Sequence, residues 1–495
     1  MNKAKFMTTG ATEGTTDRAD NCESACSASS AVDKIDSEVS KACPRIVLLT
    51  PYAGGNLGDA AIQDAMIANL RLRLPGAQFS GISLNCDNFL RQHGVSAFPL
   101  CETNRPFYEM SCGNAADSPS QGDTPIKKSN QRGLGAARIR TALKRVPGLW
   151  GCLKAARALV TIPGRELCHC IKGYRFLRTQ NLLIVSGGGQ LDEEWGGAWG
   201  HPFALFKWAV LARIAQIPCV MASIGAQKAL SSTSRLFMSV ALRLSNYRSY
   251  RDKHSREIVA GLLQRANEDP VVPDLALSLP PMKLPLSSGV RTMAQGRPII
   301  AISPIAYAKP GNWPCPDRAL YDRYLQQMAL VVSQFLNRGC FLVMVCSSLG
   351  DDESVIPDLL GRLDDEARKR LALQMHIPTI TTWKDVVASL REVDVLIASR
   401  LHSTILGFVT QTPTVAISFD PKVDGVMEEL GQTDYLLQIR DFMARDAIEA
   451  VDRIELCKSV VLKQIASYQH RITSVCALQY DALAELAMTS CQCRH

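Results

Sequence analysis

The sequence predicts an α/β protein built on two open, mostly parallel sheets. Two observations carry that expectation. From residue 45 onward, short β-branched runs alternate with helical stretches, the pattern of βα units. The alternation is interrupted once, by the Pro- and Ser-rich stretch Leu279 to Gly296, which divides it into two series. A chain of 495 residues exceeds one ordinary core, so two domains are expected.

Before the first series, residues 1–43 are rich in Ser, Thr, Ala, Asp and Glu and read as a disordered leader without the apolar core of a secretory signal. An N-terminal Rossmann-like domain is expected over 44–280, with a basic insertion at about 101–178. Its strands are Arg45 to Thr50, Phe79 to Leu84, Leu182 to Ser186, Cys219 to Ser223 and Tyr247 to Tyr250. Its helices are Ala60 to Leu72, Pro202 to Ala215, Thr233 to Leu244 and Lys253 to Leu263. A linker over 281–297 leads to a second Rossmann-like domain at 298–440. There the strands are Pro298 to Ser303, Phe341 to Cys346, Val393 to Ala398 and Thr414 to Ile417. The helices are Arg318 to Asn337, Glu353 to Leu371, Trp383 to Leu390, Thr404 to Thr410 and Lys422 to Leu430. Residues 441–495 form a helical tail with no strand after it.

The composition is globular, 46% hydrophobic and 21% charged, with no run of eighteen apolar residues. Seventeen cysteines form no regular framework, and several sit in apolar strands, as expected of reduced thiols in a cytoplasmic protein. Cys168-His169-Cys170 and the Cys491 to His495 tail lack the spaced pairs of a zinc site, so no metal is expected. The net charge of +8 is local, because 125–178 holds thirteen Lys and Arg against the single acid Glu166. Interleaved with Leu143, Val146, Trp150 and Leu153, this segment reads either as a solvated insertion or as a peripheral contact with an anionic membrane face. No nucleic-acid partner is expected.

The chemistry-bearing motifs sit at strand ends, where open α/β sheets bind ligands. Ser399-Arg400-Leu401-His402-Ser403 follows an apolar strand and opens a helix, so an arginine, an imidazole and a hydroxyl meet the free N–H groups of a helix start. Gly55-Asn56-Leu57-Gly58-Asp59 follows the first strand; its glycines let backbone approach a ligand, and Asp59 is expected to cap the helix. Gly187-Gly188-Gly189 repeats the device after another strand. Neither loop is a G-x-G-x-x-G fingerprint or a P-loop, which argues against a nicotinamide cofactor or a Walker-type ATPase. Arg251 ends a strand at the same edge, and Lys422 stands at a helix start, unfavourable there without an anion or an acid beside it.

Taken in order, Gly55 to Ile62, Gly187 to Gly189, Arg251-Asp252, Pro273-Asp274, Ser399 to Ser403 and Asp420 to Val423 resemble the polysaccharide pyruvyl transferase family. The resemblance implies two Rossmann-like domains facing across a cleft in the glycosyltransferase-B manner. It also implies transfer of pyruvate from phosphoenolpyruvate to a sugar, oligosaccharide or lipid-linked glycan as a ketal, with no cofactor. The family's anion-binding arginine and adjacent histidine fall on Arg400 and His402, and a second arginine on Arg251. The chemistry then points to His402 and Asp59 as acid and base, and to Arg400, Arg251, Ser403 and Lys422 as donor-binding groups. Gly55, Asn56, Gly58 and Gly187 to Gly189 form the ligand loops. A nucleotide-sugar glycosyltransferase of the same architecture and a non-catalytic binder of anionic glycans remain as alternatives.

Overall fold

A computed structural model describes residues 43–51, 54–102, 164–193, 196–228, 230–264, 268–281, 284–285 and 287–494. The expected leader and most of the basic segment, 125–163, lie outside the described residues. The first sheet contains β1 (Arg45–Leu49), β2 (Gln78–Ser83), β3 (Ala97–Pro99), β4 (Leu182–Ser186), β5 (Cys219–Ile224) and β6 (Tyr247–Tyr250), in the order β3-β2-β1-β4-β5-β6. The second contains β7 (Ile299–Ser303), β8 (Phe341–Met344), β9 (Met375–His376), β10 (Val395–Ala398), β11 (Thr414–Ser418) and β12 (Leu436–Gln438), in the order β12-β11-β10-β7-β8-β9. Every pairing is parallel. Both sheets therefore have the doubly wound order, and each reverses direction beside its first strand, between β1 and β4 and between β7 and β10. The fold is two Rossmann-like domains facing across a cleft.

The central strands are apolar throughout because helices cover both faces of each sheet; β1, β4, β7, β10 and β11 each bury nearly every residue. The three strands absent from the sequence expectation, β3, β9 and β12, are all edge strands of two or three residues with no fully buried position. The helix expected over Glu353 to Leu371 is two, Val355–Leu360 and Asp365–Gln374, because Asp364 accepts from the Ala367 N–H at 2.7 Å and starts a new turn. Residues 164–177 are helical and pack on the first sheet through Leu177, His169 and Gly173, the last against Trp208. This helix leads directly into β4, so the C-terminal part of the basic segment is the crossover of a βα unit.

Three devices join the halves. Backbone of 55–57 pairs with 347–349, Leu57 N–H donating to the Ser347 carbonyl at 2.9 Å and Leu349 N–H to Gly55 at 2.8 Å. Asp64 accepts from Trp383 Nε1 and pairs with His93 Nδ1, both at 2.7 Å. The long helix Lys458–Gln492 returns to the first domain, where Tyr480 hydroxyl meets Ser278 at 2.7 Å and Arg494 donates to the Gln180 carbonyl at 2.9 Å. Its buried positions recur at helical spacing, Val461, Ile465, Tyr468, Ile472, Cys476, Leu483 and Ala487 among them, and give it one continuous apolar stripe.

Candidate active site

The site forms where the carboxyl edges of the two sheets oppose each other. Helix Leu57–Arg73 follows β1, and its N-cap is Asn56, whose side chain accepts from the Gly58 N–H at 3.1 Å. Asp59 is thus the third helical residue, not the cap expected from the sequence. The helix starts three residues earlier than the apolar pattern indicates, since Leu57 is already fixed by its bond to Ser347. Relieved of capping, the half-buried Asp59 carboxylate lies over Gly188, where an added Cβ would stand 3.2 Å from Oδ1. Gly188 adopts φ +71°, and its carbonyl accepts from Gly225 N–H at 2.7 Å, so the loop after β4 is pinned to the strand beside it.

His402 enters from the opposite domain, on the first turn of helix Leu401–Val409, and is 7% exposed. Its imidazole occupies the space that a side chain at position 58 would need, and an ideal Cβ there falls 1.8 Å from His402 Cγ. Gly58 is glycine because the imidazole of the other domain lies against the helix backbone.

Asp274 completes the group. The pattern of the sequence marks Pro273-Asp274 without assigning a role; the structure places Asp274 3% exposed, Oδ2 3.8 Å from His402 Nε2 and 3.6 Å from Arg251 Nη1. Its other oxygen caps the short 3₁₀ turn Leu275–Ser278, accepting from Ala276 N–H at 3.0 Å. The segment before it is fixed by Ser223, whose hydroxyl donates to the carbonyls of Val272 and Pro273 at 2.8 and 2.7 Å. Ser223 itself stands at φ +53° where β5 slips register against β6. Arg251, at the end of β6, is also buried, and its Nη2 would stand 2.9 Å from a Cβ at Gly225. Gly225 belongs to none of the sequence motifs, although a lone glycine after an apolar strand is the signal for it.

His402 Nε2, Asp274 Oδ2 and Arg251 Nη2 are all buried and lack a hydrogen-bond partner within the protein. Buried polar atoms left in this way cost free energy unless something else occupies them. Electrostatics divides the carboxylates. Burial works to raise the Asp274 pKa, but contact with His402, the Arg251 charge and the Ala276 N–H together hold it below the usual carboxylate value. Asp59 shifts upward, chiefly through desolvation, with the Asp274 charge adding to the rise and His402, Arg251 and Lys422 opposing it. Two carboxylates in one site thus have opposed tendencies, one to stay ionised and one to hold a proton.

The remaining expected residues are distributed unevenly. Arg400 is gripped bidentately by Asp352, Nε at 2.5 Å and Nη2 at 2.8 Å, with a fifth of its side chain exposed. Burial pushes the Asp352 carboxyl up, and the Arg400 charge and hydrogen bonds oppose it. Ser403 is fully buried and links Ser303 and Ser347 hydroxyls at 2.7 and 2.8 Å, so it braces the ends of β7 and β8 rather than lining the cleft. Lys422 lies two residues beyond the cap Asp420; its Nζ is 3.8 Å from Asp420 and its charge reaches Asp59. Gly187 sits at φ +52° with Ile62 beneath it, and Gly189 beside Asp192. Gly55 lies in the interdomain bridge. Among the described residues, no group of three or more His, Cys, Asp or Glu is placed to hold a metal ion.

Residues 56–421 match the family model described as polysaccharide pyruvyl transferase. Solved structures of similar shape include a UDP-GlcNAc 2-epimerase from Neisseria meningitidis bound to UDP-GlcNAc, 11% identical at a TM-score of 0.49, over 89% of this chain and 100% of that one. Another is the ADP-heptose heptosyltransferase II of E. coli, 13% identical at 0.41, over 84% and 99%. A third is a glycosyltransferase from Rickettsia africae, 10% identical at 0.46, over 90% and 98%. Likeness at this level bears on neither donor nor acceptor.

Proposed function

The chain belongs to the polysaccharide pyruvyl transferase family, and on that premise we propose that it moves pyruvate from phosphoenolpyruvate onto two hydroxyls of one sugar as a ketal. The observation that carries this reading is a buried group between the domains, with Asp274 Oδ2 3.8 Å from His402 Nε2 and 3.6 Å from Arg251 Nη1, in which His402 Nε2, Asp274 Oδ2 and Arg251 Nη2 make no hydrogen bond within the protein. A small polyanion approached by a proton donor satisfies such a set.

The reaction adds a sugar hydroxyl across the enol double bond. A proton goes to the methylene carbon, the hydroxyl oxygen bonds to the central carbon, and the hydroxyl proton leaves to a base. A second hydroxyl then displaces phosphate and closes the ring, its proton leaving with the phosphate. Arg251 holds an anionic group of the donor with Nη2, and Arg400 and Lys422 supply positive charge from the second domain. His402 delivers the proton, with its ring oriented by Asp274. Asp59 receives the hydroxyl proton, and the desolvation that raises its pKa makes its carboxylate the stronger base.

Phosphoenolpyruvate is expected to protect the fold by about 2.7 kcal/mol at a hundredfold excess over its dissociation constant, and Arg251→Ala to remove that protection. Differential scanning fluorimetry reads both. Stabilisation by a nucleoside diphosphate sugar, with none by phosphoenolpyruvate, would transfer the assignment to a glycosyltransferase. Among the described residues no helix is long and apolar enough to cross a membrane. We place the enzyme in the cytoplasm, held at an anionic membrane surface by the basic segment 125–178. Vesicle cosedimentation that resists high salt, or that survives deletion of 125–163, would remove that placement.

A further inference from the structure

A second feature of the cleft lip is aromatic. Tyr307, Trp313 and Phe419 form a closed triangle, with ring centroids 5.0 Å apart for Tyr307 and Trp313, 5.1 Å for Tyr307 and Phe419, and 5.6 Å for Trp313 and Phe419. All three rings are only half-buried. They come from two loops, one following β7 and one following β11, and β10 lies between those strands. Neighbouring strands are about 4.8 Å apart, so strands two places apart are separated by roughly 10 Å. Phe419 is the first residue after β11, so the loop after β7 reaches across the end of β10, where helix Leu401–Val409 begins, to bring Tyr307 within 5.1 Å of it.

The loop carrying Tyr307 is tied to Arg400 through Asp352. Ala306 N–H donates to Asp352 at 3.1 Å, and Asp352 is the carboxylate that clamps Arg400. Ala308, the residue after Tyr307, holds φ +58°, a left-handed conformation that a side chain disfavours. Trp313 N–H donates to Lys309 carbonyl at 3.0 Å and Asp317 N–H to the strained Ala308 at 2.9 Å, closing a compact turn around the rings. Arg440 donates to the Tyr307 hydroxyl at 3.1 Å, fixing that ring from the outer side.

Phosphoenolpyruvate has no use for such a surface, since it is small and presents charged groups at both ends. A pyranose is the opposite: one face of axial C–H bonds, uncharged, with hydroxyls around its edge. We propose that Tyr307, Trp313 and Phe419 form the platform on which a pyranose ring of the acceptor stacks, above Arg400 and beside Lys422. This rests on the transferase reading above and adds the acceptor subsite to it. Aromatic contacts of this kind favour the C–H face of the ring and leave its edge hydroxyls free to be directed toward the cleft.

The test uses the full chain with methyl β-galactopyranoside, methyl β-glucopyranoside and methyl α-mannopyranoside. Saturation-transfer NMR measures binding, and phosphate release from phosphoenolpyruvate measures turnover. At least one pyranoside is expected to bind, through the C–H protons of a single face. Phe419→Leu should weaken that binding about tenfold while the donor KM stays within about twofold, and Phe419→Tyr should restore it. Undiminished pyranoside binding in Phe419→Leu, or no pyranoside binding to the wild type, would overturn the platform. Pyranoside binding lost in Phe419→Leu, with no phosphate released by the wild type, would leave the platform standing and sink the pyruvyl assignment. Phosphate release unaltered in acceptor KM by Phe419→Leu would do the reverse.

Discussion

Gly58→Ala is expected to lower kcat by at least about a hundredfold while helix Leu57–Arg73 stays folded. Helix propensity alone argues the other way, because alanine in a helix is favoured over glycine by about 0.8 to 1 kcal/mol. The tertiary contact reverses the sign. An ideal Cβ at position 58 falls 1.8 Å from His402 Cγ, 2.1 Å from Nδ1 and 2.3 Å from Cδ2. These atoms are the root of the imidazole rather than a flexible tip, so the whole ring must swing away from Asp274 and the cleft. A displacement of about 1 Å in a catalytic group costs on the order of 10²-fold, and this one exceeds that. Overpacking adds a stability loss of about 1 to 3 kcal/mol. Steady-state phosphate release and circular dichroism on one preparation check the result. Wild-type turnover in Gly58→Ala would mean that His402 does not work from the position it occupies.

Asp274→Asn and Asp59→Asn are expected to move stability in opposite directions while both abolish most activity. Asp274 has a folded pKa below its ordinary 3.8. Its ionisation therefore contributes stability that is present above pH 3.8 and is lost as pH falls through the folded value. At pH 7, replacing it leaves the buried Arg251 with Asp252, 3.7 Å away and a third exposed, as its counter-charge, so the cost falls below the about 3 to 5 kcal/mol of a buried pair broken outright. Asp59 has a folded pKa above 3.8, so its contribution is greatest at low pH and declines as pH rises from 3.8 through the folded value. Asp59→Asn removes a desolvated carboxylate and should melt at a higher temperature than the wild type at pH 7. Turnover should fall by about 10² to 10⁴ in each variant, through loss of the base in one and of the oriented imidazole in the other. Thermal melts of the three proteins between pH 4 and pH 8 decide the matter. Parallel shifts in both variants would show that the two carboxylates do not have distinct environments.

The central strands were legible because they are apolar along their whole length, and a parallel strand covered on both faces leaves no other option. The edge strands β3, β9 and β12 were not, since pairing on one side alone asks for no apolar run, and their two or three residues take strand form from a neighbour. Helix starts were misjudged where a long-range bond sets them. Leu57 belongs to its helix because Ser347, from the other domain, receives its N–H, and that bond moved the cap from Asp59 to Asn56. Ser403 illustrates the converse. It sits in a motif whose neighbours line the cleft, yet one position along a helix turns its hydroxyl about 100° away, into contact with Ser303 and Ser347.

From the sequence alone came the doubly wound class, the two series of βα units, the family resemblance, and the positions of Arg251, Arg400 and His402 at strand ends. Each depends on local pattern, on periodicity, on glycine after an apolar run, on a helix start. Only the tertiary structure decided which of these residues meet. It set His402 of one domain against Gly58 of the other, placed Asp274 between His402 and Arg251, and gave Arg400 to Asp352. It also separated Asp59 and Asp274 in their titration, because a carboxylate's pKa is set by the charges and the water around it. Those surroundings come largely from distant chain segments, His402 lying 128 residues from Asp274 and 343 from Asp59, and no local pattern in the sequence encodes them.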